Sequence, residues 1–207
     1  MTRECSPASA PWRSVHPREA RTLLLNVRSR WWIAGGWALD LFIGRQSRRH
    51  GDLDVGILRH DAPGVIAALP GLEFFEAKDG ALRGPLTGAP RADVNSLWGR
   101  ARADGEWMLE LLLDECDGDQ WVFRRARVIR RPFERAVRHD PQSIPYLAPE
   151  IQLLYKAAHL REQDRADFER TAPHLEDEPR AWLRWALAVV EPLHPWLAAL
   201  RSAPQRM

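Results

Sequence analysis

Residues 31–55 read Trp31-Trp-Ile-Ala-Gly35-Gly-Trp-Ala-Leu-Asp40-Leu-Phe-Ile-Gly-Arg45-Gln-Ser-Arg-Arg-His50-Gly-Asp-Leu-Asp-Val55. An apolar run of strand length stops at Gly35-Gly36. A short amphipathic helix, 37–43, follows directly from that turn. A basic cluster of Arg45, Arg48, Arg49 and His50 comes next. The stretch closes on Asp52 and Asp54, which open a second apolar strand over 53–58. On a strand, residues two apart share a face, so both carboxylates converge while Leu53 turns into the core. Two acids that close repel unless a cation lies between them. Oxygen ligands on a rigid strand suit Mg²⁺ bound together with substrate phosphates. A lone Asp-x-Asp is equally at home on a polar strand face. Gly35-Gly36 lets backbone N–H groups approach a phosphate at a helix N-terminus, though a tight turn needs the same glycines. The arginines suit triphosphate oxygens, or salt bridges with acidic neighbours. The stretch matches neither the dinucleotide-binding fingerprint nor the P-loop pattern.

Outward from this stretch, the spacing predicts a helix over 17–30, with Pro17 in its first turn. A helix over 63–69 is followed by strands at 73–78 and 93–98, separated by a Gly/Pro-rich loop over 81–92. Glu106 to Asp114 reads as a strand. Trp107, Leu109, Leu111 and Leu113 share one face, and Met108, Glu110, Leu112 and Asp114 the other. Glu110 is a carboxylate inside an apolar run, which is costly to bury alone. That makes it a third metal ligand or a base beside the aspartate pair, with Asp114 and Asp93 as rivals. A hairpin turn at Asp117-Gly118 leads to a returning strand, 121–124. After Pro141–Pro149 the pattern becomes helical, with helices over 149–160, 163–172 and 178–190. The division is therefore a flexible N-terminus over 1–16, an α/β domain over 17–140 and a C-terminal helical domain over 141–207.

The bulk numbers narrow the class. At 207 residues, with 45% apolar and 28% charged content, the chain has the make-up of an ordinary soluble domain. No apolar run approaches the roughly 18–20 residues that span a bilayer, so no membrane segment is expected. The first residues lack a signal-type apolar stretch. Cys5 and Cys116 form no metal or disulfide pattern, which fits a reducing cytoplasm. A net charge of +2 is too small to argue for nucleic acid.

Three segments together resemble the DNA polymerase β-like nucleotidyltransferase superfamily. They are Gly35-Gly-Trp-Ala-Leu-Asp40, Ser47-Arg-Arg-His-Gly-Asp-Leu-Asp-Val55 and Trp107-Met-Leu-Glu-Leu-Leu-Leu113. The resemblance is strongest to the branch of aminoglycoside 2''-adenylyltransferases and lincosamide nucleotidyltransferases. It extends through Leu147–Ala157 and Arg161–Phe168. It implies an α+β fold, a mixed-sheet nucleotidyltransferase core flanked by helices with a C-terminal helical domain. It also implies transfer of a nucleoside monophosphate, AMP from ATP or another NTP, onto a hydroxyl of a small molecule such as an antibiotic. Asp52, Asp54 and Glu110 would hold Mg²⁺, with Glu110 standing where relatives often carry aspartate. Gly35, Gly36, Arg48, His50 and Lys156 would contact the nucleotide. Glu150 is a further candidate base, with a helix-dipole role as its alternative. Asp164 and Asp167 are expected to pair with local arginines. Other members imply two alternatives: modification of a protein by an antitoxin-like enzyme, and a vestigial nucleotide-binding module. The acceptor and the oligomeric state are not encoded in these motifs.

Overall fold

In a computed structural model that describes residues 3–5 and 10–201, the chain begins with strand β1 (Arg3–Cys5). Pro17 then opens helix α1 (Pro17–Leu23), where the His16 side chain accepts a hydrogen bond from the Arg18 N–H. The helix ends seven residues short of the expected 30. Bonds from Leu25 N to Thr22 O and from Val27 N to Leu24 O tighten the chain beyond it, and Leu25 faces solvent. Strand β2 (Trp31–Ile33) and helix α2 (Gly35–Ile43) meet at the glycine turn. Then follow β3 (Asp54–Leu58), α3 (Ala62–Ala67), β4 (Leu72–Lys78), β5 (Ala81–Gly84) and β6 (Ser96–Ala101). The long β7 (Trp107–Asp117) leads into β8 (Gln120–Val122), β9 (Arg130–Pro132), α4 (Phe133–Ala136), β10 (Val137–His139) and β11 (Pro145–Leu147). The remainder is helical: α5 (Pro149–Ala157), α6 (Glu162–Thr171), α7 (Asp177–Val190) and α8 (Trp196–Ala199).

The fold is α+β, with one mixed sheet in the order β1-β5-β4-β6-β7-β3-β2-β11-β10 and the β8–β9 pair branching from β7. The β3–β7 and β2–β11 pairs are parallel; the other pairs are antiparallel. Alternation along β7 is as expected: Trp107, Leu109, Leu111 and Leu113 are buried, and Met108, Glu110 and Leu112 are half-buried. Leu53, Val55 and Ile57 join them from the neighbouring strand, and Leu153, Leu154, Leu183 and Leu187 carry the same core into the helical layer.

Three features differ from the sequence reading. The Gly/Pro-rich segment 81–92 contains β5, because Leu82 fills a small second core with Phe75 and Trp107. The sheet also continues past residue 140: β11 lies parallel to β2, with Tyr146 opposite Ile33, so the helical part begins at Pro149. Residues 10–16, expected to be flexible, are tied to β7. Arg13 N donates to Trp107 O (2.8 Å), Trp107 N donates to Pro11 O (2.9 Å), and Val15 is buried. Residues 1, 2 and 6–9 of that segment lie outside the described residues.

Leu111 is fully buried beside the acidic strand face, whereas Leu193 is 93% exposed. Leu111→Ala is expected to cost about 2–5 kcal/mol in urea unfolding, and Leu193→Ala less than about 0.5 kcal/mol.

Candidate active site

The register of two parallel strands builds the centre of the site. Asp54 on β3 lies opposite Glu110 on β7, and Asp52 stands just before β3. Carboxylate oxygens of Asp52, Asp54 and Glu110 all come within 4.8 Å of one another. Burial raises the Asp54 carboxyl well above its ordinary range, and the charges of Glu110 and Asp52 push the same way. Burial also raises Glu110, and Asp52 adds to it, against a hydrogen bond from the Ser96 hydroxyl (2.6 Å). Two buried carboxylates made costly to ionise beside a third acid fit a divalent cation, and an all-oxygen set suits a hard one.

The glycine turn faces these acids. Gly35 has φ +64°, and a Cβ there would lie 1.8 Å from Asp54 Oδ2, so both conformation and space demand glycine. The N-cap of α2, Ala34, offers no side-chain cap. Gly35 N–H is taken by Gln152 Oε1 (2.8 Å) from α5. The N–H groups of Gly36 and Trp37 lie in the first turn, where a helix supplies no acceptor of its own. A Cβ on Gly36 would meet Arg48 and His50, so both side chains crowd this helix terminus.

Of the basic cluster, Arg48 and His50 line the cleft; Arg45 and Arg49 are exposed outside it. His50 is buried, stacks on Trp37 with ring centroids 4.2 Å apart, and bonds through Nε2 to Asp40 (2.6 Å). Asp40 also accepts from the Ser47 hydroxyl and N–H. Burial opposes its ionisation, yet the bonds from His50 and Ser47 prevail and hold its carboxyl below the ordinary range.

Lys156 also lines the cleft, and both it and Gln152 are buried. Lys156 Nζ reaches Asp164 (3.0 Å) and Asp167 (2.9 Å) on α6. Asp167 also holds Arg48 (3.4 Å) and Arg170, and Asp164 holds Arg161 (2.8 Å). The expected arginine pairing is there, and the lysine is the centre of the network. Asp93 stands apart, pairing with Lys78 (2.7 Å) on the surface. Glu150 is also outside the cleft. It is buried against Arg131 (2.6 Å), which stacks on Trp182, so it has no access to an acceptor hydroxyl.

Residues that sequence reasoning left out complete the walls. Gln152, Tyr155, Arg124 and Arg125 join Asp114 around an open cleft of about 370 Å³. Asp114 accepts from the Tyr155 hydroxyl (2.8 Å). Burial drives its pKa from 3.8 to about 6, although the Tyr155 bond and Arg124 pull the other way.

This sheet, with an acid triad facing a glycine turn at a helix N-terminus, is the arrangement of a nucleotidyltransferase. Its sequence assigns it further. The profile of the aminoglycoside-2''-adenylyltransferase family matches residues 18–171, and the chain belongs to that family. Solved structures agree on the fold. The lincosamide antibiotic adenylyltransferase LnuA, in its lincomycin-bound crystal structure, is 19% identical with a TM-score of 0.54; the match covers 77% of this chain and 98% of that one. The antibiotic-resistance factor ANT(2'')-Ia in solution is 14% identical with a TM-score of 0.54, over 90% and 97% of the two chains. No curated protein matches by sequence. The family implies a nucleoside triphosphate as co-substrate. Among the described residues no helix is long and apolar enough to cross a membrane.

The Asp114 shift has a testable sign. Below pH 3.8 the carboxyl is protonated folded or unfolded; above 6 the folded chain carries a buried charge at a cost, so this group's penalty grows as pH rises through that window. Asp114→Asn lacks the charge. Its stability relative to wild type is expected to improve by about 2–3 kcal/mol between pH 4 and pH 7 in denaturant titrations.

Proposed function

We propose that the protein transfers AMP from ATP to a hydroxyl of a small antibiotic-like molecule, with Mg²⁺ held by Asp52, Asp54 and Glu110, in the cytoplasm. The observation that carries this reading is the convergence of three carboxylates within 4.8 Å, beside the N-terminus of α2. A divalent ion there would neutralise charge on the attacking and leaving oxygens.

The chain's own groups do the rest. The Gly36 and Trp37 N–H groups and the α2 dipole receive the β- and γ-phosphates. Arg48 and Lys156, fixed by Asp167 and Asp164, lie beside them and offset charge that builds up on the departing pyrophosphate. His50 is fixed by Asp40 and Trp37 with its ring against Gly36, at the same end of the cleft. Glu110 is steadied by Ser96 at one oxygen, which leaves its other oxygen for the cation or for the hydroxyl proton. The acceptor oxygen bonds to the α-phosphorus, the bond to the β-phosphate bridging oxygen breaks, and pyrophosphate leaves with that electron pair.

Labelled-nucleotide transfer tests this. Asp52→Ala with Asp54→Ala is expected to lower kcat by at least about 10³-fold, through loss of charge stabilisation. The same variant is expected to lose Mg²⁺-dependent ATP binding in calorimetry. Turnover at the wild-type rate in that variant would refute the assignment.

A further inference from the structure

In-line displacement fixes where the acceptor sits. Nucleophile and leaving group lie on opposite sides of the transferred phosphorus. On the proposed reading the pyrophosphate lies at the glycine turn, so the acceptor lies on the far side of the acids. Beyond Glu110 the same face of β7 continues through Leu112 to Asp114, and Arg124, Arg125 and Tyr155 close the wall.

The charge of that wall is unlike what a polycation needs. Its carboxylate, Asp114, is 3% exposed and already accepts the Tyr155 hydroxyl. Arg124 lies over the Tyr155 ring at 4.9 Å, and Arg125 lies 5.9 Å from it. Arg125 donates to the Tyr155 backbone carbonyl. Among the described residues neither arginine forms an ion pair, whereas Arg48, Arg161 and Lys156 are all paired with α6. The charge of Arg124 reaches Asp114 and Glu110 without a direct contact, so two guanidinium groups outside any ion pair line this wall. An aminoglycoside brings several ammonium groups into such a site, each needing a carboxylate or open water. An arginine wall repels them and attracts oxygen-rich or anionic groups.

We infer that the acceptor is a neutral, singly amino-substituted or anionic hydroxylated molecule rather than a polycationic aminoglycoside, with Arg124 and Arg125 the specificity-determining residues. The inference rests on the nucleotidyltransferase reading and deepens it.

The test compares tobramycin, lincomycin and glucuronate as acceptors with Mg²⁺ and ATP, for wild type, Arg124→Gln and Arg124→Glu. In wild type, kcat/KM for tobramycin is expected to be at least about 100-fold below that of the best of the other two, the scale of an uncompensated like-charge contact. Arg124→Glu is expected to close that gap by at least about tenfold and Arg124→Gln by less. Tobramycin equal to or better than the others in wild type overturns the inference, as does a ratio that Arg124→Glu leaves unmoved. Acceptor affinity is also measured by calorimetry on the protein with Mg²⁺ and a non-hydrolysable ATP analogue. Absence of turnover with every acceptor would count against the transferase reading alone. Binding then decides the charge preference: weaker tobramycin binding that Arg124→Glu strengthens supports it, and tight tobramycin binding by wild type overturns it. Melting curves of each variant show whether the wall is still folded.

Discussion

Three carboxylates are held closer together than their charges favour. Asp54 and Glu110 cannot move apart, because β3 and β7 pair in parallel over five residues with those two in register. Asp52 is carried along by the strand that Leu53 anchors in the core. The hydrophobic core therefore holds a repulsive arrangement in place, and the stress shows in the raised pKa values of Asp54 and Glu110. Such strain has a use where a multivalent cation and a polyphosphate are to be gathered at one point.

Around that centre the helical layer adds positive charge in fixed positions. Lys156 and Arg48 come from different halves of the chain and share Asp167 as a partner. Burial opposes ionisation of Asp167, but Lys156 and Arg48 outweigh it and keep its carboxyl below the ordinary range. The cations are thus held at the cleft wall in place of free rotation in solvent. Gln152 ties the same layer to the glycine turn through a neutral amide, which leaves the charge balance untouched.

The local parts of this arrangement were legible in the sequence. Period-2 alternation placed Glu110 opposite the core face, and Gly-Gly and Asp-x-Asp marked the turn and the paired acids. What depends on packing between distant segments was not. Glu150 looked available at a helix start, yet Arg131 comes from β9 to bury it. Gln152 gave no sign of its part, because a polar stripe against water and one against a polar cleft have the same periodicity. Arg124 and Arg125 were lost in a run of arginines, and only the position of Tyr155 singles them out. The prolines around Tyr146 concealed an edge-adjacent strand whose pairing is with a segment more than a hundred residues earlier.

The register of β7 carries a last consequence. Its side chains alternate, so a slip of one residue against β3 would turn Glu110, Leu112 and Asp114 together to the opposite face and bring leucines out in their place. The same hydrogen-bond ladder thus aligns the core and the chemistry. An inserted residue between Trp107 and Asp114 would therefore disturb the core and the acids together.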